Sequence, residues 1–408
     1  MHKQPSFRGT ARRRLDDAVH AGLSLAARRP GADDAYRRLL HSVRQRTGLL
    51  RPAGDPRRLS RVTWANAGLL PLALHHADWL RPVEAWEPPR AGFNRQFASL
   101  AAHLLAAYPV PACMTSAWLV VPPDEPHPEQ EWYKHLGRGH SIRTAGLPVP
   151  FTRAMAHHLG QAPHHYAVKA ALRWAQVRGL GGHEGLARAV SATRLGREFA
   201  HEEFWLTVLR FFVHNRHMDV AHVGPVVDFL HAQRFGTREV FIPGRGVVRE
   251  GPPRPDYAVK GRTVASLLRQ VQEWHRHLGQ DSSTPARSWP RSEIAEFRYV
   301  EGAQQGDGPR CWTIRELLTS GELFLEGQAM RHCVASYIDR CAGRVTSIWS
   351  MQADTGRGPR RVLTVEVDPA RRVIFQARGR CNRLPREAER EVLGRWARRE
   401  GLSLAACL

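Results

Sequence analysis

The sequence predicts an α+β fold class: a mainly helical N-terminal region, then a compact C-terminal domain with a small antiparallel sheet flanked by helices. Three observations carry that prediction. Apolar residues recur at helical spacing through the first 240 positions, proline and glycine crowd 241–256, and beyond 345 the period changes to alternation. With 408 residues, 42% of them hydrophobic and 24% charged, the chain can build more than one core. The expected division is a basic helical region at 1–120, a helical domain at 130–240, a Pro/Gly-rich connection with one amphipathic helix at 241–296, and an α+β domain at 297–408.

In chain order, Leu15 to Ala27 and Phe97 to Tyr108 carry apolar residues at helical spacing. Four prolines in the eight residues Val121–Pro128 break the helical pattern. Ala167 to Val177 reads as a helix ended by Gly179, Gly181 and Gly182. Phe204 to Phe212 is too apolar for a surface helix, and another helix is expected from Val226 to Gln233. The stretch 241–256 reads as a plain linker; its Gly244-Arg245-Gly246 could hold a phosphate on backbone amides, but no strand–loop–helix context supports this. Thr263 suits the cap of a helix with Val264, Leu267, Leu268, Val271, Trp274 and Leu278 on one stripe, and 279–292 reads as a loop.

The C-terminal order expected is helix 313–320, helix 326–342, strands 345–352, 361–368 and 372–378, and helix 385–399. The last helix is well punctuated, with Pro385 in its first turn, Glu387 and Glu389 at its positive end, Arg398 and Arg399 at its negative end, and Gly401 after it.

Charge and cysteine content bound the function. The net charge of +22 favours a polyanionic partner through counterion release. A plain compositional origin stays open, since only four of the 60 basic residues are lysine, as in a GC-rich genome. No apolar run approaches the roughly 18 residues of a membrane span. Met1-His2-Lys3-Gln4-Pro5 leads into Arg12-Arg13-Arg14 without the apolar stretch of a secretory signal, so a cytoplasmic protein without membrane contact is expected. None of the six cysteines forms a Cys-x-x-Cys pair, and disulfides are not expected.

Two stretches stand out. Glu326-Gly327-Gln328-Ala329-Met330-Arg331-His332-Cys333-Val334-Ala335-Ser336-Tyr337 is followed about forty residues later by Gln376-Ala377-Arg378-Gly379-Arg380-Cys381-Asn382. On a helix 326–342, Cys333, Val334, Tyr337, Ile338 and Cys341 form one stripe suited to packing on a sheet, and His332, Ser336 and Asp339 a more polar one. Neighbours on a helix diverge by about 100°, so His332 and Cys333 make a poor base–nucleophile pair. In the strands, Leu363, Val365 and Val367 share a face, as do Val373, Phe375 and Ala377. Matching these faces sets Val367 opposite Val373 and Thr364 opposite Gln376, and leaves Thr364, Glu366, Gln376 and Arg378 on a common polar face. That face reads either as a site or as an ordinary solvated sheet surface.

Zinc on His332, Cys333, Cys341 and Cys381 is disfavoured, because Cys341 lies about 12 Å along the helix from Cys333. His214, His217 and His222 beside Asp219 read as solvated polar residues. No metal site is assigned and no cofactor is indicated.

The elements His332-Cys333-Val334-x-x-Tyr337 and Gln376-x-Arg378-Gly379-x-x-Asn382 resemble the signature of the PcfJ-like family of conjugative plasmids, phages and bacterial genomes. The resemblance covers roughly 255–408 and implies a domain and a mobile-element setting, without a settled reaction. The site expected from residues and resemblance together has His332, Glu366 and Cys333 as candidate catalytic groups. Tyr337, Gln376, Arg378, Gly379 and Asn382 are candidate nucleic-acid or substrate-binding residues. The leading function is binding or processing of nucleic acid by the C-terminal domain. Two alternatives stay open: an enzyme with Cys333 as nucleophile, and a non-catalytic module whose helical N-terminal region docks a protein partner.

Overall fold

A computed structural model describes residues 7–51, 68–119, 127–242, 246–277, 287–302, 309–332, 334–370 and 372–404. The chain divides into two units, Met1–Gly179 and Leu180–Leu408.

The first unit is helical. Its helices are α1 (Phe7–Ala26), α2 (Ala32–Arg46), α3 (68–74), α4 (Phe93–Leu105), α5 (Pro128–Gly137), α6 (Arg153–Leu159) and α7 (Val168–Gly179). Local chemistry sets several ends. Asp33 and Asp34 open α2 and Arg44 and Arg46 close it, each matching the helix dipole. Pro128, the last proline of the expected break, stands in the first turn of α5, where its missing N–H costs nothing; residues 120–126 lie outside the described residues. Tyr36, Leu39, Phe97, Trp118, Tyr133 and Leu172 are fully or nearly fully buried.

The second unit begins with three helices, α8 (Glu184–Ser191), α9 (Glu202–His214) and α10 (Val223–Arg234). The expected linker at 241–256 is corrected in part: β1 (Arg238–Ile242) pairs antiparallel with β2 (Gly246–Glu250). Its Gly-Arg-Gly lies in the hairpin connection, of which 243–245 fall outside the described residues. Next comes α11 (Val264–His277), capped as expected by Thr263, whose Oγ1 accepts the Ser266 N–H at 3.1 Å.

The C-terminal domain is a six-stranded sheet in sequential order: β3 (Phe297–Glu301), β4 (Arg310–Leu317), β5 (Ser347–Asp354), β6 (Arg360–Asp368), β7 (Val373–Arg378) and β8 (Ser403–Leu404). Neighbours are antiparallel except β7 and β8. Two helical expectations fail. Residues 313–320 are mostly strand β4, whose Trp312, Ile314 and Glu316 alternate inward, a period of two that the apolar content had masked. The single helix at 326–342 is instead α12 (Ser320–Met330), a reversal at Arg331, a 3₁₀ turn at Val334–Tyr337 and the short α13 (Ile338–Ala342).

Both faces of the sheet are covered. On one, Trp312, Ile314, Met351, Leu363, Val365, Ile374 and Ala377 pack against Val392, Leu393 and Ala397 of α14 (Glu387–Glu400). On that same face Trp349 and Trp396 meet with ring centroids 4.9 Å apart. On the other face, Leu317 and Ile348 pack with Trp289, Leu323, Val334 and Cys341. The β6–β7 register differs from expectation. Thr364 sits opposite Arg378, Glu366 opposite Gln376 and Val367 opposite Ile374, with a bulge that turns Phe375 outward to 39% exposure. At Thr364 and Glu366 the slip is two residues, which keeps each side chain on its face, so the four polar residues still share one side.

Candidate functional site

The site starts where α12 ends. Arg331 adopts the left-handed conformation at φ 54°, and its N–H bonds the Gly327 carbonyl, which closes the helix and turns the chain back. The turn passes so close to the helix that a Cβ on Gly327 would stand 2.8 Å from the His332 carbonyl oxygen. His332 is thereby folded down onto β6 rather than carried outward on a longer helix.

Under α12 lies a hydrogen-bonded chain that the sequence reading missed. Glu326 is fully buried, and its carboxylate accepts from Thr364 Oγ1 at 2.8 Å and from Arg361 Nε at 2.8 Å, with Ser350 as a further partner. His332 Nε2 lies 2.9 Å from the same Thr364 hydroxyl. That hydroxyl has one proton, spent on Glu326, so it accepts from His332 and the imidazole carries its proton on Nε2. Burial pushes the Glu326 carboxyl above its ordinary range, against the opposing bonds from Thr364, Ser350 and Arg361. Glu326 stands at the head of the first conspicuous stretch, but a glutamate in a helical pattern reads as surface. Only a partner 38 residues away shows otherwise.

A second ion pair lies two residues along β6. Glu366, 6% exposed, accepts from Arg340 of α13 at 3.0 Å and faces Thr346 at 3.5 Å. Tyr337 bonds the same carboxylate, and burial first, then the Glu366 charge, push its phenol up to about 12. Its hydroxyl therefore stays protonated at neutral pH.

The second stretch ties down the end of β7. Gln376 faces Glu366 across the strands, and its Oε1 is buried without a hydrogen-bond partner among the described residues. Arg378 donates to the carbonyls of Ala377 at 3.0 Å and Ala192, just past α8, at 3.3 Å. Gly379 is required by packing, since a Cβ there would lie 2.5 Å from Arg383 Cζ. Asn382 takes a left-handed φ of 60° and donates to Asp228 of α10 at 3.2 Å. Arg383 bonds both Glu389 oxygens at 2.7 and 2.6 Å, pinning the start of α14.

The structure therefore brings His332, Glu366, Gln376 and Arg378 to one face of β6 and β7, with Tyr337 beside Glu366. Gly379 and Asn382 stand at the strand's end. Cys333 lies outside the described residues. The polar face is not the solvated surface offered as one reading, because α12 and the turns after it cover it. Cys341 sits in that cover and burial pushes its thiol up to about 12, which makes it inert. Among the described residues no group of three His, Cys, Asp or Glu side chains could hold a metal. No helix there is long and apolar enough to cross a membrane.

Exposed arginines rim this buried frame. Arg197 and Arg340 both act on the Tyr337 phenol. Arg331 and Arg380 both oppose the upward push that burial gives the Cys381 thiol, and Arg331 bonds it directly. All four arginines are exposed, and they come from four separate segments. No curated protein and no solved structure matches the chain. Residues 310–393, a narrower span than the resemblance at 255–408, match the family model described as PcfJ-like protein. The matched span holds β4 to β7 and both conspicuous stretches, and this part of the chain is a PcfJ-like domain.

Proposed function

We propose that the C-terminal domain binds a polynucleotide at the rim of its buried polar frame. One observation carries the reading: exposed Arg197 and Arg340 stand by Tyr337, exposed Arg331 and Arg380 by Cys381, and among the described residues only Arg340 of these four has a carboxylate partner, Glu366. Exposed guanidiniums gathered this way suit the bidentate geometry of phosphate oxygens. Arg378 is spent on backbone carbonyls and acts in the frame, as does Gln376, whose Oε1 is buried. His332, backed by Glu326 through Thr364, is the group assigned to move a proton where a bound strand is cut. Glu366 holds Arg340 and Tyr337 in place. The mobile-element setting, the cytoplasmic location and the four-part division of the chain belong to the same reading.

The test is binding of labelled single- and double-stranded DNA and RNA by the full chain across a salt series, with cleavage products checked in the same samples. Each of Arg331→Gln and Arg380→Gln should weaken binding and reduce the slope of log K against log salt by roughly one contact's share, about 0.7 to 0.9. Cleavage lost in His332→Ala with binding retained would make the domain an enzyme. Weak binding indifferent to both arginines would reject the reading.

A further inference from the structure

The turn between β2 and α11 carries a second basic feature, on a different part of the unit from the rim. Arg254, Asp256, Tyr257, Lys260 and Arg262 line an open cleft of about 550 Å³. Small-molecule sites occupy roughly 300–1,000 Å³, so the volume suits a phosphate with an attached group. The floor is rigid. Tyr257 is 4% exposed, its hydroxyl donates to Gln270 Oε1 at 2.8 Å, its carbonyl accepts from Arg234 at 2.7 Å, and its ring meets Phe229 edge-on at 5.4 Å. Arg254 is anchored by its own N–H to the Gln233 carbonyl at 2.8 Å.

On that floor Arg262 is held in advance. Its guanidinium lies 4.3 Å from the centre of the Tyr257 ring, and its Nε donates to the Ala258 carbonyl at 2.7 Å. Those two contacts leave both terminal nitrogens for a ligand. Among the described residues, the Arg254 guanidinium and Lys260 Nζ have no hydrogen-bond or ion-pair partner. Several other arginines of this unit are matched by carboxylates: Arg315 by Glu322, Arg361 by Glu326, Arg383 by Glu389. Here three cations stand within nine residues against the single carboxylate Asp256. Arg254 and Arg262 line the same cleft, and both charges act on the Tyr257 phenol.

We infer that this cleft binds a phosphate group, with Arg262 as the stacked fork and Arg254 and Lys260 as flanking charges. A dianion relieves the mutual repulsion of the three cations and meets a fork that is already ordered. The inference deepens the polynucleotide reading by giving the strand a second anchor, and it also stands alone if the phosphate belongs to a small molecule.

Titration calorimetry of the full chain at low salt tests it, with pyrophosphate as probe and a short oligonucleotide in a second arm. Saturable pyrophosphate binding is expected, about tenfold weaker in Arg262→Gln and weaker also in Lys260→Gln, while Arg216→Gln leaves it unchanged. Lys260 is exposed, so that variant remains informative if Arg262→Gln disturbs the turn. Absence of saturable binding, or equal binding by wild type and both cleft variants, overturns the inference. Pyrophosphate binding lost in the variants together with oligonucleotide binding identifies a strand phosphate. Pyrophosphate binding without any oligonucleotide binding keeps the cleft as a site for free phosphate compounds and rejects the polynucleotide reading alone.

Discussion

Single residues in this domain take their roles from burial. Glu326 is the clearest case, a carboxylate at 0% exposure held by a hydroxyl and a guanidinium. Its folded pKa is raised, chiefly by desolvation, so the folded state binds the proton more tightly than the unfolded chain. Stability from this group is therefore fully present below its ordinary carboxylate range and lost as pH rises through the raised value. Glu326→Gln should remove that decline, and thermal melting of both proteins from pH 4 to 8 checks it. A parallel pH profile for the two would show that Glu326 is not the group responsible. His332 illustrates the same dependence: its tautomer follows from Thr364, which follows from Glu326.

At the scale of elements, the end of α12 decides where the first stretch goes. A continuous helix to 342 would carry His332 away from the sheet; the left-handed Arg331 and the close pass at Gly327 prevent it. Arg331→Gly should therefore stabilise the fold by about 1 kcal/mol, since glycine takes φ 54° without the cost of a Cβ. The same change removes a rim cation and should weaken polynucleotide binding. Urea unfolding set beside binding separates the two effects; a loss of stability would contradict this account of the turn. Hairpin β1–β2 and strand β4 were hidden for related reasons. Proline and glycine in 241–256 read as a linker, and the apolar content of 313–320 read as a helix until pairing of β4 with β3 and β5 fixed its period.

For the whole molecule, the charge of +22 acts in two opposite ways. It draws a polyanion, and it strains the folded chain by self-repulsion. Raising salt from about 0.01 M to 0.15 M shortens the screening length from about 30 Å to about 8 Å. Thermal stability should rise over that range while polynucleotide affinity falls, and melting beside binding in one buffer series checks both. A melting temperature that drops with salt would mean that the surface ion pairs outweigh the repulsion.

What the sequence alone determined is what depends on neighbours in the chain. The helices around Phe97, Ala167, Phe204 and Val226, the Thr263 cap, the closing helix after Pro385 and the shared polar face of β6 and β7 all rest on periods and end chemistry within a few residues. The tertiary structure alone decided that this polar face is covered, that Glu326 belongs to it and that Arg378 is spent on the carbonyl of Ala192. It also decided that exposed cations stand beside Tyr337 and Cys381 and along the turn before α11. The physical reason is that burial and pairing of a charge depend on partners 35 to 186 residues away, which no local period encodes.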